Sequence, residues 1–118
     1  ARAEAVRHAE VYRCSFAISV CPSENVESPT IVGAQAANEL LNIIGIKASF
    51  VLTEYNDKIY ISSRSIDEIN VQIIMEKLGG GGHLNVAGAQ LTGVTIVQAK
   101  RMIQDTLDEM LKEGDIEE

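Results

Sequence analysis

Residues 79–83 read Gly-Gly-Gly-Gly-His, and no other stretch restricts the fold as strongly. Four consecutive glycines offer no side chain to pack and lose the most backbone entropy on folding. A stable fold keeps such a run only where the chain takes left-handed angles or where something approaches the backbone closely. The apolar periodicity of Val71, Ile74, Met75 and Leu78 predicts a helix over 70–78 that stops abruptly at Gly79, and 86–91 reads as a short strand. The run therefore joins a helix to a strand. Successive N–H groups in such a turn can form an anion-binding nest, and His83 at its edge adds a donor able to become cationic near neutral pH. The competing reading is a helix cap extended into a loop with His83 merely exposed. Two phosphate motifs are excluded by letter: Gly82 is followed by His83-Leu84 rather than the Lys-Ser/Thr of a P-loop, and position 85, where a dinucleotide fingerprint on Gly80 and Gly82 needs glycine, is Asn.

The rest of the chain supplies ordinary elements. Residues 2–13 are helix-compatible and weakly apolar, which predicts a linker helix. Phe16 to Cys21 is a short apolar run ended by Pro22, suited to a buried strand, and 22–28 reads as loop. Ser28-Pro29 supplies a helix start, with Val32, Ala36, Ala37, Leu40, Leu41 and Ile44 as the buried face and Gly45 as a left-handed cap. Residues 48–54 and 58–63 form a hairpin around Tyr55-Asn56-Asp57. Thr95 and Gln98 form a capping box opening a last helix through about 112, lined by Ile96, Ala99, Ile103, Leu107 and Met110. The predicted order is (α)βαββαβα, an α/β fold with a mixed sheet flanked by helices.

With 118 residues, the chain suits one domain and is too short for two independent cores. No apolar run approaches the roughly 18 residues that suggest a membrane span. Ala at position 1 suggests a piece of a longer protein, with 1–13 a linker from a preceding domain, 14–112 the folded unit, and Glu113, Asp115, Glu117 and Glu118 in a solvated acidic tail. The net charge of −7 repels polyanions over most of the surface, which argues against polymeric nucleic acid while leaving room for a short nucleotide in one local pocket. Cys14 and Cys21 flank a strand that holds them apart, so they read as reduced thiols in a cytosolic setting.

A second candidate lies in Ser62-Ser63-Arg64-Ser65 at the end of the hairpin. Arg64 stands alone among arginines between Arg13 and Arg101, and a guanidinium flanked by hydroxyls suits bidentate contact with phosphate or a nucleobase. The bland reading is a surface Arg on a turn. His8 and His83 are the two histidines, no Asp/His cluster has metal-ligand spacing, and neither cysteine has a base beside it. Asp67-Glu68 and Asp108-Glu109 read as solvated helix-end charge. The residues suit holding a substrate better than breaking one.

Ser63-Arg64-Ser65, followed about fifteen residues later by Gly79-Gly80-Gly81-Gly82-His83 and then Ala87-Gly88, resembles the DHH-associated domain over roughly residues 14–112. In that family it is the C-terminal partner of a metal-binding DHH catalytic domain in phosphoesterases. Gly-Gly-Gly-Gly-His-Leu-Asn-Val-Ala-Gly and the Ala36 to Leu41 helix look most like the membrane-anchored cyclic-di-AMP phosphodiesterases of Gram-positive bacteria, the GdpP/YybT type.

That resemblance implies a parent with membrane helices and sensory domains, whose Mn²⁺-dependent DHH domain hydrolyses cyclic-di-AMP to pApA. It implies no cofactor in this segment, which would be cytoplasmic and inactive alone. Ser63, Arg64, Ser65, Gly79, Gly80, Gly81, Gly82, His83 and Asn85 would then meet a cyclic dinucleotide or short oligonucleotide. Many members carry Ala-Ala-Gly after the histidine, where this chain has Asn85-Val86-Ala87-Gly88. Expected partners are the DHH domain and, through an apolar face on the severed domain, a second copy. Two other readings stay open: the corresponding domain of a RecJ-like exonuclease or nanoRNA phosphatase, and the C-terminal module of alanyl-tRNA synthetase. An exonuclease needs a basic track with stacking aromatics, against two Phe and three Tyr here.

Overall fold

The computed structural model describes residues 2–21 and 28–118. Its elements are α1 (Arg2–Arg7), β1 (Glu10–Tyr12), β2 (Phe16–Cys21), α2 (Pro29–Leu40), β3 (Ala48–Tyr55), β4 (Lys58–Ser65), α3 (Val71–Lys77), β5 (Gly81–Gly82), β6 (Val86–Thr92) and α4 (Ile96–Glu113). The strands form one mixed sheet in the order β1-β2-β3-β4-β6-β5. β2 and β3 pair in parallel across α2, and every other neighbour is antiparallel. The expected α/β order holds, with two short edge strands added.

Alternation along the strands divides the side chains between two cores. On one face Phe16, Ile18, Phe50, Leu52, Ile59 and Ile61 pack beneath α3 and α4, which contribute Ile74, Met75, Ile103, Leu107 and Met110. On the other, Ala17, Cys21 and Val51 meet Ala5 of α1 and Ala36, Ala37 and Leu40 of α2. Small residues there let α2 lie close: Ser49 Oγ donates to the Ala37 carbonyl at 2.7 Å. Tightest is Gly33, where a β-carbon would sit 2.8 Å from Ser62 Oγ. Ser19 Oγ donates to the Ala5 carbonyl, tying α1 to β2.

Local chemistry sets the element ends. Asn56 and Asp57 both take left-handed angles, φ 51° and 63°, the pattern that matches strand twist in a two-residue hairpin. Asn70 caps α3 by accepting from the Gln72 and Ile73 amides. The Thr95–Gln98 capping box forms reciprocally at 3.1 and 2.9 Å, and Gly114 ends α4 in a left-handed cap.

Three expectations need correction. The helix expected over 2–13 ends at Arg7, and Glu10–Tyr12 pairs instead as an edge strand. α2 ends at Leu40, four residues early, so Ile44 is fully exposed rather than on a buried face. Asp108 is no free helix-end charge: it accepts from Tyr12 Oη at 2.7 and 2.8 Å and from Arg13 Nε at 2.8 Å. Glu68 stays exposed while pairing with Lys47 at 2.9 Å, and Glu113, Asp115, Glu117 and Glu118 are exposed as expected, with Ile116 buried among them and Lys47 Nζ donating to the Glu118 carbonyl at 3.0 Å. Cys14 is exposed, Cys21 is buried, and neither is in a disulfide. Of the expected 22–28 loop, all but Ser28 lies outside the described residues.

Candidate functional site

α2 covers β2, β3 and β4 on its side of the sheet and leaves most of β6 open. β6 and the adjoining face of β4, at the edge of α2, form the floor of a groove of about 650 Å³, within the roughly 300–1,000 Å³ usual for small-molecule sites. Its floor alternates by strand parity: Tyr60, Ser62 and Arg64 from β4, each opposite Gln90, Gly88 and Val86 of β6. Thr30 and Ala34 of α2 form one wall, and the glycine run with His83 forms the other.

The glycines divide by what they do. Gly79 caps α3 at φ +86°. Gly80 and Gly82 are forced by closeness to β6: a β-carbon would lie 2.0 Å from the Gly88 carbonyl oxygen at Gly80 and 2.5 Å from the Val86 carbonyl oxygen at Gly82. Gly81 has neither a positive φ nor any atom within 4 Å of an added β-carbon. It pairs with Gly88 and so shares the groove-facing side.

The amides of this run are not an open row of donors. Gly79 donates to Glu76, Gly80 to Met75 at 2.8 Å and His83 to Val86 at 2.7 Å. The run's first contribution is therefore steric, a wall with no side chains that lets a ligand lie against backbone.

Arg64 stands half-buried on the floor. Its Nη1 donates to the Ser63 carbonyl at 2.8 Å, and among the described residues no carboxylate pairs with it. Burial pulls its guanidinium below the ordinary arginine value, although an arginine stays protonated throughout the working range. A half-buried cation without a carboxylate partner leaves its remaining guanidinium donors available to an anion.

The structure thus brings Arg64, the four glycines and His83 to one groove. It turns Ser63 and Ser65 to the opposite side of the sheet. Ser63 is wholly buried, and its hydroxyl lacks a hydrogen-bond partner among the described residues. Ser65 Oγ donates to the Ile69 carbonyl at 2.6 Å, with the Leu84 carbonyl at 3.2 Å. Asn85 Nδ2 donates to the Ser65 carbonyl at 3.0 Å. Ser65 and Asn85 together fasten the segment after His83 to the end of β4. The hydroxyl that accompanies Arg64 on the floor is Ser62. Tyr60 and Gln90 escaped the reading of motifs, and their signal was strand parity counted back from Arg64 and carried across to β6.

Among the described residues no three His, Cys, Asp or Glu side chains converge where a metal ion could sit, so these residues do not fit Mn²⁺. No helix among them is long and apolar enough to cross a membrane.

The sequence is 45% identical over 108 residues to the cyclic-di-AMP phosphodiesterase PdeA of Listeria monocytogenes, covering 91% of this chain and 16% of that protein. It is 37% identical over 115 residues to the cyclic-di-AMP phosphodiesterase GdpP of Bacillus subtilis, covering 96% and 18%. The chain thus spans less than a fifth of the length of either relative. In fold it is similar to an exopolyphosphatase-related protein from Bacteroides fragilis, with TM-score 0.80 and 21% identity over 92% of this chain and 33% of that one. The DHHA1 domain profile matches residues 15–113, from the start of β2 to the end of α4 and including every wall of the groove. This chain belongs to the DHHA1 domain family.

Proposed function

We propose that this chain is the substrate-holding C-terminal domain of a cyclic-di-AMP phosphodiesterase and that its groove grips one phosphate of the dinucleotide. The observation that carries this reading is Arg64, a half-buried cation with no carboxylate partner among the described residues, facing a wall of bare backbone. His83, exposed at the rim, adds a second donor toward the same phosphate or its sugar. The names of the two curated relatives supply the substrate.

Hydrolysis to pApA belongs in this reading to a preceding DHH domain. That domain would hold Mn²⁺, which supplies a Lewis acid and an activated water when bound. This chain's part is to orient the phosphodiester and to neutralise its charge. The parent is anchored in the bacterial membrane, and this segment lies on its cytoplasmic side.

The test is an NMR titration of the chain with cyclic-di-AMP and with pApA. Shifts should cluster at residues 62–64 and 79–83. Arg64→Ala should weaken binding about 10- to 100-fold, the range for losing charge-assisted hydrogen bonds, with the amide spectrum elsewhere unchanged. His83→Ala should weaken it less. Binding that survives Arg64→Ala at full strength would remove the phosphate grip, and the reading with it.

A further inference from the structure

Beyond the cation and the glycine wall, the groove contains a second kind of surface. Tyr60 lies half-buried on the floor, its phenol without a hydrogen bond among the described residues. Directly opposite on β6 stands Gln90, exposed, its amide likewise free of partners there. Paired antiparallel residues hold their β-carbons about 5 Å apart, so ring and amide form one unit. Tyr60 is four residues from Arg64 on the same strand face, about 13 Å along the strand. Between them the floor holds Ser62 and Gly88, a hydroxyl and a position without a side chain. From one end to the other the floor offers an aromatic plane with an amide, then a small polar stretch, then a guanidinium. A nucleotide presents base, sugar and phosphate in the same order.

We infer that Tyr60 and Gln90 form a nucleobase subsite, Tyr60 giving the stacking surface and Gln90 reading an edge of an adenine. The amide carries one donor and one acceptor side by side. Adenine answers with an acceptor and a donor at N7 and N6, whereas guanine presents two acceptors at N7 and O6 and favours arginine or lysine. Along the N7 edge a free amide beside a ring therefore matches adenine and mismatches guanine, and it does so without any cation at that end. The inference rests on the phosphate reading of Arg64, and its test is arranged so that the two fail differently.

The experiment titrates the chain with cyclic-di-AMP, cyclic-di-GMP and inorganic pyrophosphate, following the adenine H2 and H8 resonances and the intrinsic tyrosine fluorescence. Stacking on Tyr60 moves the adenine protons upfield. Tyr60→Leu, which keeps an apolar side chain on the floor, should weaken cyclic-di-AMP by about 5- to 100-fold, the range for losing one base–aromatic stack. It should also abolish the upfield shift and leave pyrophosphate within about twofold, while Tyr60→Phe retains both. Gln90→Arg should reverse the preference toward cyclic-di-GMP by about tenfold or more. Should Tyr60→Leu and Gln90→Arg leave affinity and base preference unchanged while Arg64→Ala weakens binding about 10- to 100-fold, the subsite is overturned and the phosphate grip stands. Failure of the unsubstituted chain to bind cyclic-di-AMP overturns both.

Discussion

A methyl group at Gly80 would sit 2.0 Å from a carbonyl oxygen of β6, and one at Gly81 would meet no atom of the described residues within 4 Å. The two neighbours therefore have opposite reasons for being glycine. Gly80→Ala must push β5 off β6, and we expect it to lower unfolding free energy by about 3 kcal/mol or more, as overpacking against backbone does. Gly81→Ala should leave the melting temperature unchanged or slightly raised, since it reduces unfolded-state entropy, yet weaken cyclic-di-AMP binding by narrowing the wall. Thermal unfolding and one titration of each variant check both. Strand parity is the other lesson at this scale. Ser62, Ser63 and Ser65 look equivalent beside Arg64 in the sequence, but successive side chains on a strand point to opposite faces. Only Ser62 shares the groove with Arg64, and the same rule reaches Tyr60 and Gln90. The motif located the groove, and the pleat decides which of its letters line it. The pinning of Ser65 and Asn85 to main-chain carbonyls was invisible because it depends on where the end of β4 meets the segment after β5.

Elements with strong periodicity and explicit caps were legible from end to end: α3 between Asn70 and Leu78, α4 behind its capping box, and the hairpin around Asn56-Asp57. Those whose ends depend on tertiary contact were not. Nothing local marks 10–12 as a strand; its partner β2 and the carboxylate of Asp108, ninety-odd residues away, make it one. That clasp has a pH signature. Burial first, and the hydrogen bond to Asp108 second, raise the Tyr12 pKa above its ordinary 10.0. The folded state keeps this proton longer than the unfolded chain does. The associated stability is complete below pH 10 and is lost as pH rises through the raised value. Urea unfolding of the wild type should therefore shift to lower midpoints above about pH 10 more steeply than that of Tyr12→Phe. At neutral pH, Tyr12→Phe should lower stability by about 1–2 kcal/mol for the hydrogen bond to a charged acceptor.

The whole molecule combines a net charge of −7 with one local cation on an open half-sheet. Such a balance favours a short anion caught at one point over a polymer followed along a track. The dependence of pApA binding on salt should accordingly be shallow, with a log–log slope near −1, because about one phosphate is neutralised and single strands release about 0.7 counterion per contact. A slope several times steeper in the same titration would mark a polyanion track instead. That this half of the sheet lies open was not readable in the sequence, although the motif marked the place. It lies open because α2 stops short of β6, and that is a matter of how layers overlap.

Gly81 offers one more use. It lines the groove, a β-carbon added there meets no atom of the described residues within 4 Å, and its φ is not positive, so it can carry a side chain without burdening the fold. With exposed Cys14 replaced by Asn, a residue tolerant of its left-handed φ of 67°, and with Cys21 buried beyond reach of a label, Gly81→Cys becomes the single addressable thiol. An environment-sensitive dye attached there would occupy the groove wall and compete with the dinucleotide, so its emission would change as ligand displaces it, at concentrations above those the unlabelled domain needs.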